Sequence, residues 1–360
     1  MKNAERLICI ALVALILTFS SSCSGGVVKT KELSQNITQT AVIQESKLEK
    51  NADYKKFLSA FSQDITVPGL FEGLIPQGIC FDSENGNIII SGYYEKGELP
   101  SMLCIVNADT KKLLKSVKIE TENGSVYTGH AGGLASSDGY IYITSDGEAM
   151  VIKKSDLYST ANGKEVKVTS NFKLNTDGSF SNVTNGVLWA GTFSESSKKV
   201  HSETDTVFTL PSGETFYAYC EGYILENGLP SVKKLNSENS GYIPDYYFAI
   251  PDEVQGMTVT KTGQFIFSSS YGRRNDSVIR VFDDITLSQT VGTANIDGIE
   301  IDLKAASADI LKTQYTAPPM AEGVDCYDGK LVLLFESGAS KYRSHGGKYP
   351  SDMLFFAEFE

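Results

Sequence analysis

The chain has 360 residues, with 44 Asp and Glu against 32 Lys and Arg, a formal charge of −12 and 41% apolar residues. Such an acidic surface repels phosphate backbones and anionic headgroups, so nucleic acid is not an expected partner. The length suits one large domain.

At the N-terminus, Lys2 and Arg6 precede an apolar run over residues 7–19, followed by small residues and Cys23. That is the layout of an export signal, and the run is too short to span a bilayer as a mature helix; an uncleaved anchor is the alternative. The small residues before Cys23 resemble a bacterial lipoprotein processing site, which implies cleavage before Cys23 and lipidation of its thiol. Ser20 stands where that pattern has leucine, so cleavage after Ser22, leaving a secreted protein with a free thiol, stays open. Residues 1–22 are thus expected to be a signal peptide. Residues 23–60 read as a polar tether ending in a short amphipathic helix built on Leu48, Phe57, Leu58 and Phe61. The folded domain then covers residues 61–360, a monomer held to the extracytoplasmic face of the membrane by lipid alone.

Five segments of that domain share a turn glycine followed by alternating apolar residues: "NGNIIIS" at Gly86, "DGYIYIT" at Gly139, "NGVLWAG" at Gly186, "TGQFIFS" at Gly263 and "DGKLVLL" at Gly329. Asn-Gly and Asp-Gly between apolar runs are strong hairpin signals. An earlier strand precedes each, four times opening on glycine (Gly78, Gly133, Gly256, Gly323); in the third copy, "SFSNVT" after Gly178, the pattern has decayed. Third strands follow in "SMLCIVN", "AMVIKK", "SVIRVF" and "MLFFAEF", and a fourth in "KLLKSVKI". Units of this kind cannot bury both faces alone, which predicts an all-β fold, a β-propeller of five four-stranded antiparallel blades, with a sandwich or an open solenoid as the alternative. Six blades follow if residues 216–235 or 294–304 carry a decayed unit. "MLFFAEF" leaves no chain for an outer strand, so an N-terminal strand within residues 60–71 is expected to complete the last blade. Beyond Phe61 only "SADILKTQY" reads as helical. Cys80, Cys104, Cys220 and Cys326 lie in apolar runs and are expected as buried thiols, with Cys80–Cys104 the one disulfide to test.

In a propeller the start of each inner strand shares a rim with the loop between the second and third strands. The strand starts bring Gln77, His130, Gln255 and Glu322 together; the loops bring Tyr93 with Tyr94, Asp146, Glu195, Tyr271 with Arg273 and Arg274, and Glu336 with Lys341, Tyr342 and Arg343. His130 is the catalytic candidate, because imidazole titrates near neutrality, with Asp146 or Glu322 to orient it. Glu322 and Gln255 are the candidate metal ligands, with calcium the cation their oxygens suit. Arg273, with Arg274 and Tyr271, offers bidentate anion recognition and stacking, or else bridges neighbouring blades through Asp276. His201 and His345 fall at no equivalent position and read as solvated loop residues. Nucleophile-elbow, Walker and HExxH patterns are absent from the sequence.

"PQGICFDSENGNIIIS" and "AEGVDCYDGKLVLLFES" resemble the blade pattern of the NHL-repeat and gluconolactonase/regucalcin-like propeller superfamily, over residues 66–360. That resemblance implies a channel metal, with Glu322 in "AEG" similar to the family's first ligand and Asn185 or Asp325 as further ligands. Two functions follow. One is a surface-anchored propeller that binds a small anionic or carbohydrate-like ligand, a glycan or a surface protein at one rim. The other is a calcium-dependent hydrolase of the lactonase type, with Glu322 and His130 catalytic.

Overall fold

The computed structural model describes residues 36–195, 207–231, 241–344 and 346–359; the export segment, Cys23, His201 and His345 lie outside them. Strands β2 (Ile75–Asp82), β3 (Asn87–Tyr93), β4 (Met102–Asn107) and β5 (Leu113–Glu120) form one antiparallel sheet, to whose outer edge β9 (Glu165–Lys167) adds in parallel. The next sheet runs β6 (Gly133–Ser137), β7 (Tyr140–Ser145), β8 (Glu148–Lys153), β10 (Ser170–Lys173). A further one runs β18 (Val254–Val259), β19 (Phe265–Ser269), β20 (Ser277–Phe282), β23 (Leu311–Ala317). In the last, β24 (Ala321–Tyr327), β25 (Lys330–Phe335) and β26 (Met353–Glu358) are completed by β1 (Ser62–Thr66), which pairs antiparallel with β26. The chain ends of the domain therefore meet in one sheet. Three short helices, α1 (Lys55–Ala60), α2 (Lys154–Ser159) and α3 (Ser340–Arg343), decorate the strands.

The decayed third copy is where the regular pattern fails. Strands β11 (Phe180–Thr184), β12 (Val187–Gly191), β15 (Ala218–Glu226) and β17 (Tyr246–Ile250) continue into β22 (Ile299–Ala305) and β21 (Gly292–Ile296), with β16 (Leu229–Pro230) paired to β15. A small hairpin, β13 (Phe208–Thr209) and β14 (Thr215–Phe216), stands apart. The propeller thus has four regular blades, not five or six, three of four strands and one widened to five by β9, together with one enlarged seven-stranded sheet. Within 216–235, β15 supplies the third strand of that sheet, and residues 294–304 lie in a hairpin lent to it from the next blade, where β22 runs parallel to β17. "SADILKTQY" is likewise not helical beyond a single turn at Ala308–Ile310. Its second half is β23, whose side chains alternate between half-buried and exposed, the two-residue period that the apolar spacing concealed.

Inner strands β2, β6, β11, β18 and β24 follow one another around the axis and close on themselves. They approach so closely that the glycines at their starts leave no room for a side chain. A Cβ on Gly256 would stand 2.6 Å from the carbonyl oxygen of Glu322, and one on Gly323 2.8 Å from that of Gln77. The hairpin turns behave as their sequences demand: Asn185–Gly186 and Asp328–Gly329 all take positive φ, +53° and +74° in the first, +52° and +74° in the second.

Apolar faces of adjacent sheets make the core. Ile79, Ile88 and Ile90 of one sheet pack with Val332, Leu334 and Leu354 of the last, all essentially inaccessible, each contributing about 1.5–3 kcal/mol of transfer free energy. Ahead of β1, the predicted amphipathic helix is two single turns followed by α1. Phe57 lies 5.2 Å from the ring of Phe355, and Tyr54 donates to Asp276 at 2.6 Å. Residues 36–43 also lie against the domain: Ile37 is buried, and Val42 and Ile43 donate their backbone N–H groups to Asp352 at 2.6 and 2.8 Å. Cys80, Cys104, Cys220 and Cys326 are free thiols. Cys80 pairs in register with Ile89 while Cys104 pairs with the adjacent Ile90, so their side chains leave opposite faces of the sheet and cannot join.

On the axis itself sits Asp325 of β24, buried. One carboxylate oxygen accepts from the backbone N–H of Phe81 on β2 at 2.7 Å. The other accepts from the Asn182 amide on β11 at 2.8 Å, the Thr258 hydroxyl on β18 at 3.1 Å and the N–H of Cys326 at 2.8 Å. Four inner strands are thereby tied to one side chain. Burial raises its pKa to about 6, and the donors hold it from rising further.

Asp325→Asn forces an amide N–H against one of these donors and is expected to lower the unfolding free energy by about 3 kcal/mol in urea denaturation. Because the folded-state pKa lies above the ordinary value of about 4, this group's stabilisation is complete below that value and is lost as pH rises through about 6. The margin of wild type over variant should shrink across that window; an unchanged margin, or an equally stable variant, would contradict the assignment.

Candidate functional site

At one rim of the ring, strand starts and second-to-third loops enclose a cavity of about 470 Å³. Gln77, His130, Gln255 and Glu322 reach it from the starts of the inner strands, and Tyr93, Asp146 and Glu336 from the loops. Tyr342, Phe193, Asp177, Ser145 and Ser179 complete its polar and aromatic wall. A larger cleft of about 640 Å³ opens between the first and last sheets at the hairpin-turn rim, near Phe81, Tyr327 and Asp328. It collects turn residues rather than the convergent strand starts.

Glu322 and Glu336 define the inner wall. Glu322 is 4% exposed and is hydrogen-bonded to Glu336, which also accepts from the Gln77 amide at 3.1 Å and is hydrogen-bonded to Tyr342. Burial raises the pKa of Glu322 well above the ordinary carboxylate range, and the charge and hydrogen bond of Glu336 add to it. Glu336 is raised too, by burial, against the hydrogen bonds from Tyr342 and Gln77. Two carboxyls in direct contact cannot both ionise near neutrality, so the pair holds one proton between them.

The Tyr93 ring lies 4.3 Å from that of His130, tilted by 42°, and the Tyr93 hydroxyl is hydrogen-bonded to Tyr342. Burial, then the charge of Glu336, pushes the Tyr93 hydroxyl up to about 12. The His130 imidazole is driven below its ordinary value by the protein packed around its inner side and by Lys341, against Asp146, so it is mainly neutral at pH 7. His130 faces the cavity with its ring tilted against Tyr93, and among the described residues the orienting partner expected of a general base does not bond to it.

The loop after β19 does not join this wall. Tyr271 is 40% exposed, hydrogen-bonded to Glu195, with its ring 6.0 Å from that of Phe193. The Arg273 guanidinium stands 5.1 Å from the ring centre of Tyr342, and Arg274 donates to the carbonyl of Gly346 at 3.3 Å. Asp276 takes the Tyr54 hydroxyl instead of an arginine. Both arginines therefore turn toward the loop of the neighbouring sheet, and the bridge between blades runs through Tyr342 and Gly346.

Asp177 and Ser179 went unseen in the sequence because they precede the decayed repeat. Their loop is set by Glu221 of β15, a buried carboxylate invisible to repeat alignment. It accepts from the N–H of Asn175 at 3.0 Å, the N–H and hydroxyl of Thr176 at 3.1 and 3.0 Å, and the Asn175 amide at 3.2 Å. Among the described residues no three His, Cys, Asp or Glu side chains stand together to hold a metal ion. Asp325 already accepts four donors, and the donors around Glu336 point at carboxylate oxygens instead of offering lone pairs to a cation. This set does not present a calcium site, and no metal step is derived from it.

No family model and no curated protein matches the chain. Among solved structures, the PQQ-bound aldose sugar dehydrogenase of Streptomyces coelicolor is 13% identical with a TM-score of 0.45, over 83% of this chain and 98% of that one. The glutaminyl cyclase of Myxococcus xanthus is 11% identical with a TM-score of 0.39, over 83% and 97%. BamB of Moraxella catarrhalis is 9% identical with a TM-score of 0.31, over 79% and 85%. Likenesses of this size say nothing about substrate or activity.

Glu221→Gln sets an amide N–H against the backbone donors of Asn175 and Thr176, and is expected to destabilise the fold by about 2–3 kcal/mol. Hydrogen exchange at those two amides should accelerate by far more than at β2 or β24. Exchange that rises equally everywhere would make Glu221 a general core group rather than the base of this loop.

Proposed function

We propose that this protein is a small-molecule-binding propeller whose axial cavity takes a neutral, polyhydroxylated ligand of the carbohydrate class. What supports this is the convergence of Gln77, Gln255, the Glu322–Glu336 pair and the Tyr93–His130 rings on one cavity, where no single repeat copy would make a site. Amides and carboxyls bind hydroxyl groups in both directions, and an aromatic face covers the C–H side of a sugar ring. An anion is disfavoured, because four lining residues are acidic and no arginine is among the described residues that line the cavity. For a glycan, Tyr93 is the platform and Glu336 the acceptor.

Titration of a panel of mono- and oligosaccharides, read by saturation-transfer NMR and calorimetry, tests this. Tyr93→Ala should weaken any sugar that binds by tenfold or more while the melting temperature stays close to wild type. A silent panel, or binding indifferent to Tyr93, would sink the proposal. Calcium is the control: a melting temperature that rises with calcium and falls with chelator would instead favour the metal-dependent hydrolase.

From the export-signal layout and the small residues before Cys23 we also propose that the cavity lies outside the cytoplasm, carried by a lipidated Cys23 at the end of a short tether. In a bacterial host Cys23→Ser should move the protein from the membrane fraction to the soluble one. If both forms fractionate alike, the anchor is something else.

A further inference from the structure

Between the enlarged sheet and the blade that opens with β18 lies a cavity of about 360 Å³ that shares no lining residue with the axial one. Arg280 projects into it from β20, half-buried. A guanidinium carries a rigid fork of N–H donors, and here Nη1 donates to the hydroxyl of buried Ser269 at 3.0 Å. Among the described residues that is its one hydrogen bond, and it forms no ion pair. Burial works against its charge, which the carboxylates of Asp252 and Glu253 support without touching it.

Glu253 lines the same cavity with a backbone φ of +60°, rare for a residue with a long side chain. It is pinned there by its own N–H, which donates to the carbonyl of Ser194 at 2.9 Å, and by its carbonyl, which accepts from the N–H of Ser270 at 2.8 Å. Its carboxylate takes no hydrogen bond among the described residues. Burial raises its pKa and the charges of Asp252 and Glu195 add to this, so a cation beside it is favoured. The acids around it are engaged. Glu214 accepts the N–H of Ala308 at 3.1 Å, Asp276 the Tyr54 hydroxyl at 2.6 Å, Glu195 is hydrogen-bonded to Tyr271, and Asp252 too has a partner. Phe216, Phe282 and Leu311 make the apolar part of the wall.

We propose that this cavity binds a free α-amino acid with an apolar side chain. Its carboxylate takes the unused donors of Arg280, its ammonium sits against Glu253, and its side chain lies on Phe216, Phe282 and Leu311. Arg280 and Glu253 act on one another without an ion pair, which leaves room between them for the two ends of a small zwitterion. A carboxylate alone would meet an excess of acids, and an amine alone would meet the guanidinium. The site is independent of the sugar reading, and either stands without the other.

The test titrates leucine, methionine and phenylalanine into the full chain by calorimetry, each beside its analogues lacking the ammonium or the carboxylate; for leucine these are 4-methylpentanoate and 3-methylbutylamine. The best binder is expected to exceed both of its analogues by about tenfold or more. Arg280→Met should weaken it by about tenfold or more, and Glu253→Gln should erase its advantage over the analogue without the ammonium. Silence of all three amino acids, an analogue as tight as its parent, an Arg280→Met variant that binds like wild type or a Glu253→Gln variant that keeps the advantage overturns the proposal. Should Arg280→Met fold poorly, Arg280→Lys keeps the charge without the forked donors and should itself lose about tenfold.

Discussion

Everything in this molecule depends on how closely five strands can crowd one axis. The glycines that open the inner strands remove the side chains that would hold neighbours apart, and Asp325 then supplies what the crowding needs, a single acceptor for donors arriving from several directions. A bare backbone at that distance would leave buried N–H groups unpaired, and an apolar residue in place of Asp325 would strand the Asn182 amide. The carboxylate resolves both demands at once. Its perturbed titration reflects the same compromise, because burial disfavours the charge that the donors require.

The close approach at the axis also explains why the cavity is where it is. Strands that touch along their length can part only at their ends, and the sheet twist splays them there. Polar side chains at the strand starts face the widening, and those of the next loop close over it. Gln77, Glu322 and Glu336 therefore meet although they come from distant parts of the chain. The Glu322–Glu336 contact is tolerable only because one proton serves both carboxyls, which makes the inner wall a donor as well as an acceptor.

Much of this geometry was legible in the letters. A hairpin turn with positive φ at two residues announces itself as Asn-Gly or Asp-Gly, and once the turns are aligned the strand starts fall into register, which is how eight of the cavity residues could be named. What was hidden belongs to pairing that leaves no local trace. The hairpin β21–β22 joins a sheet from another part of the chain, and parallel pairing with β17 has no turn signature. Glu221 reads as an ordinary strand carboxylate until the loop it anchors is seen. For residues 270–276 the repeat indicated the rim, but not that Arg273 meets the Tyr342 ring and Arg274 the carbonyl of Gly346, since direction depends on the neighbouring sheet. "SADILKTQY" misled because its apolar residues satisfy a helical spacing as well as the alternation that β23 uses.

The pairing of β1 with β26 has a consequence for how the chain comes to exist in its folded form. Ser62 and Phe356 are partners, so nearly the whole domain must be synthesised before the ring can shut. Until then β1 waits with an unpaired edge and Phe57 of α1 and Phe61 stay uncovered, a state prone to associate with other chains. Contacts of such long sequence separation also slow the final step, since the loop must close before any contact rewards it. Joining of the two ends is then the event that commits the chain to the propeller.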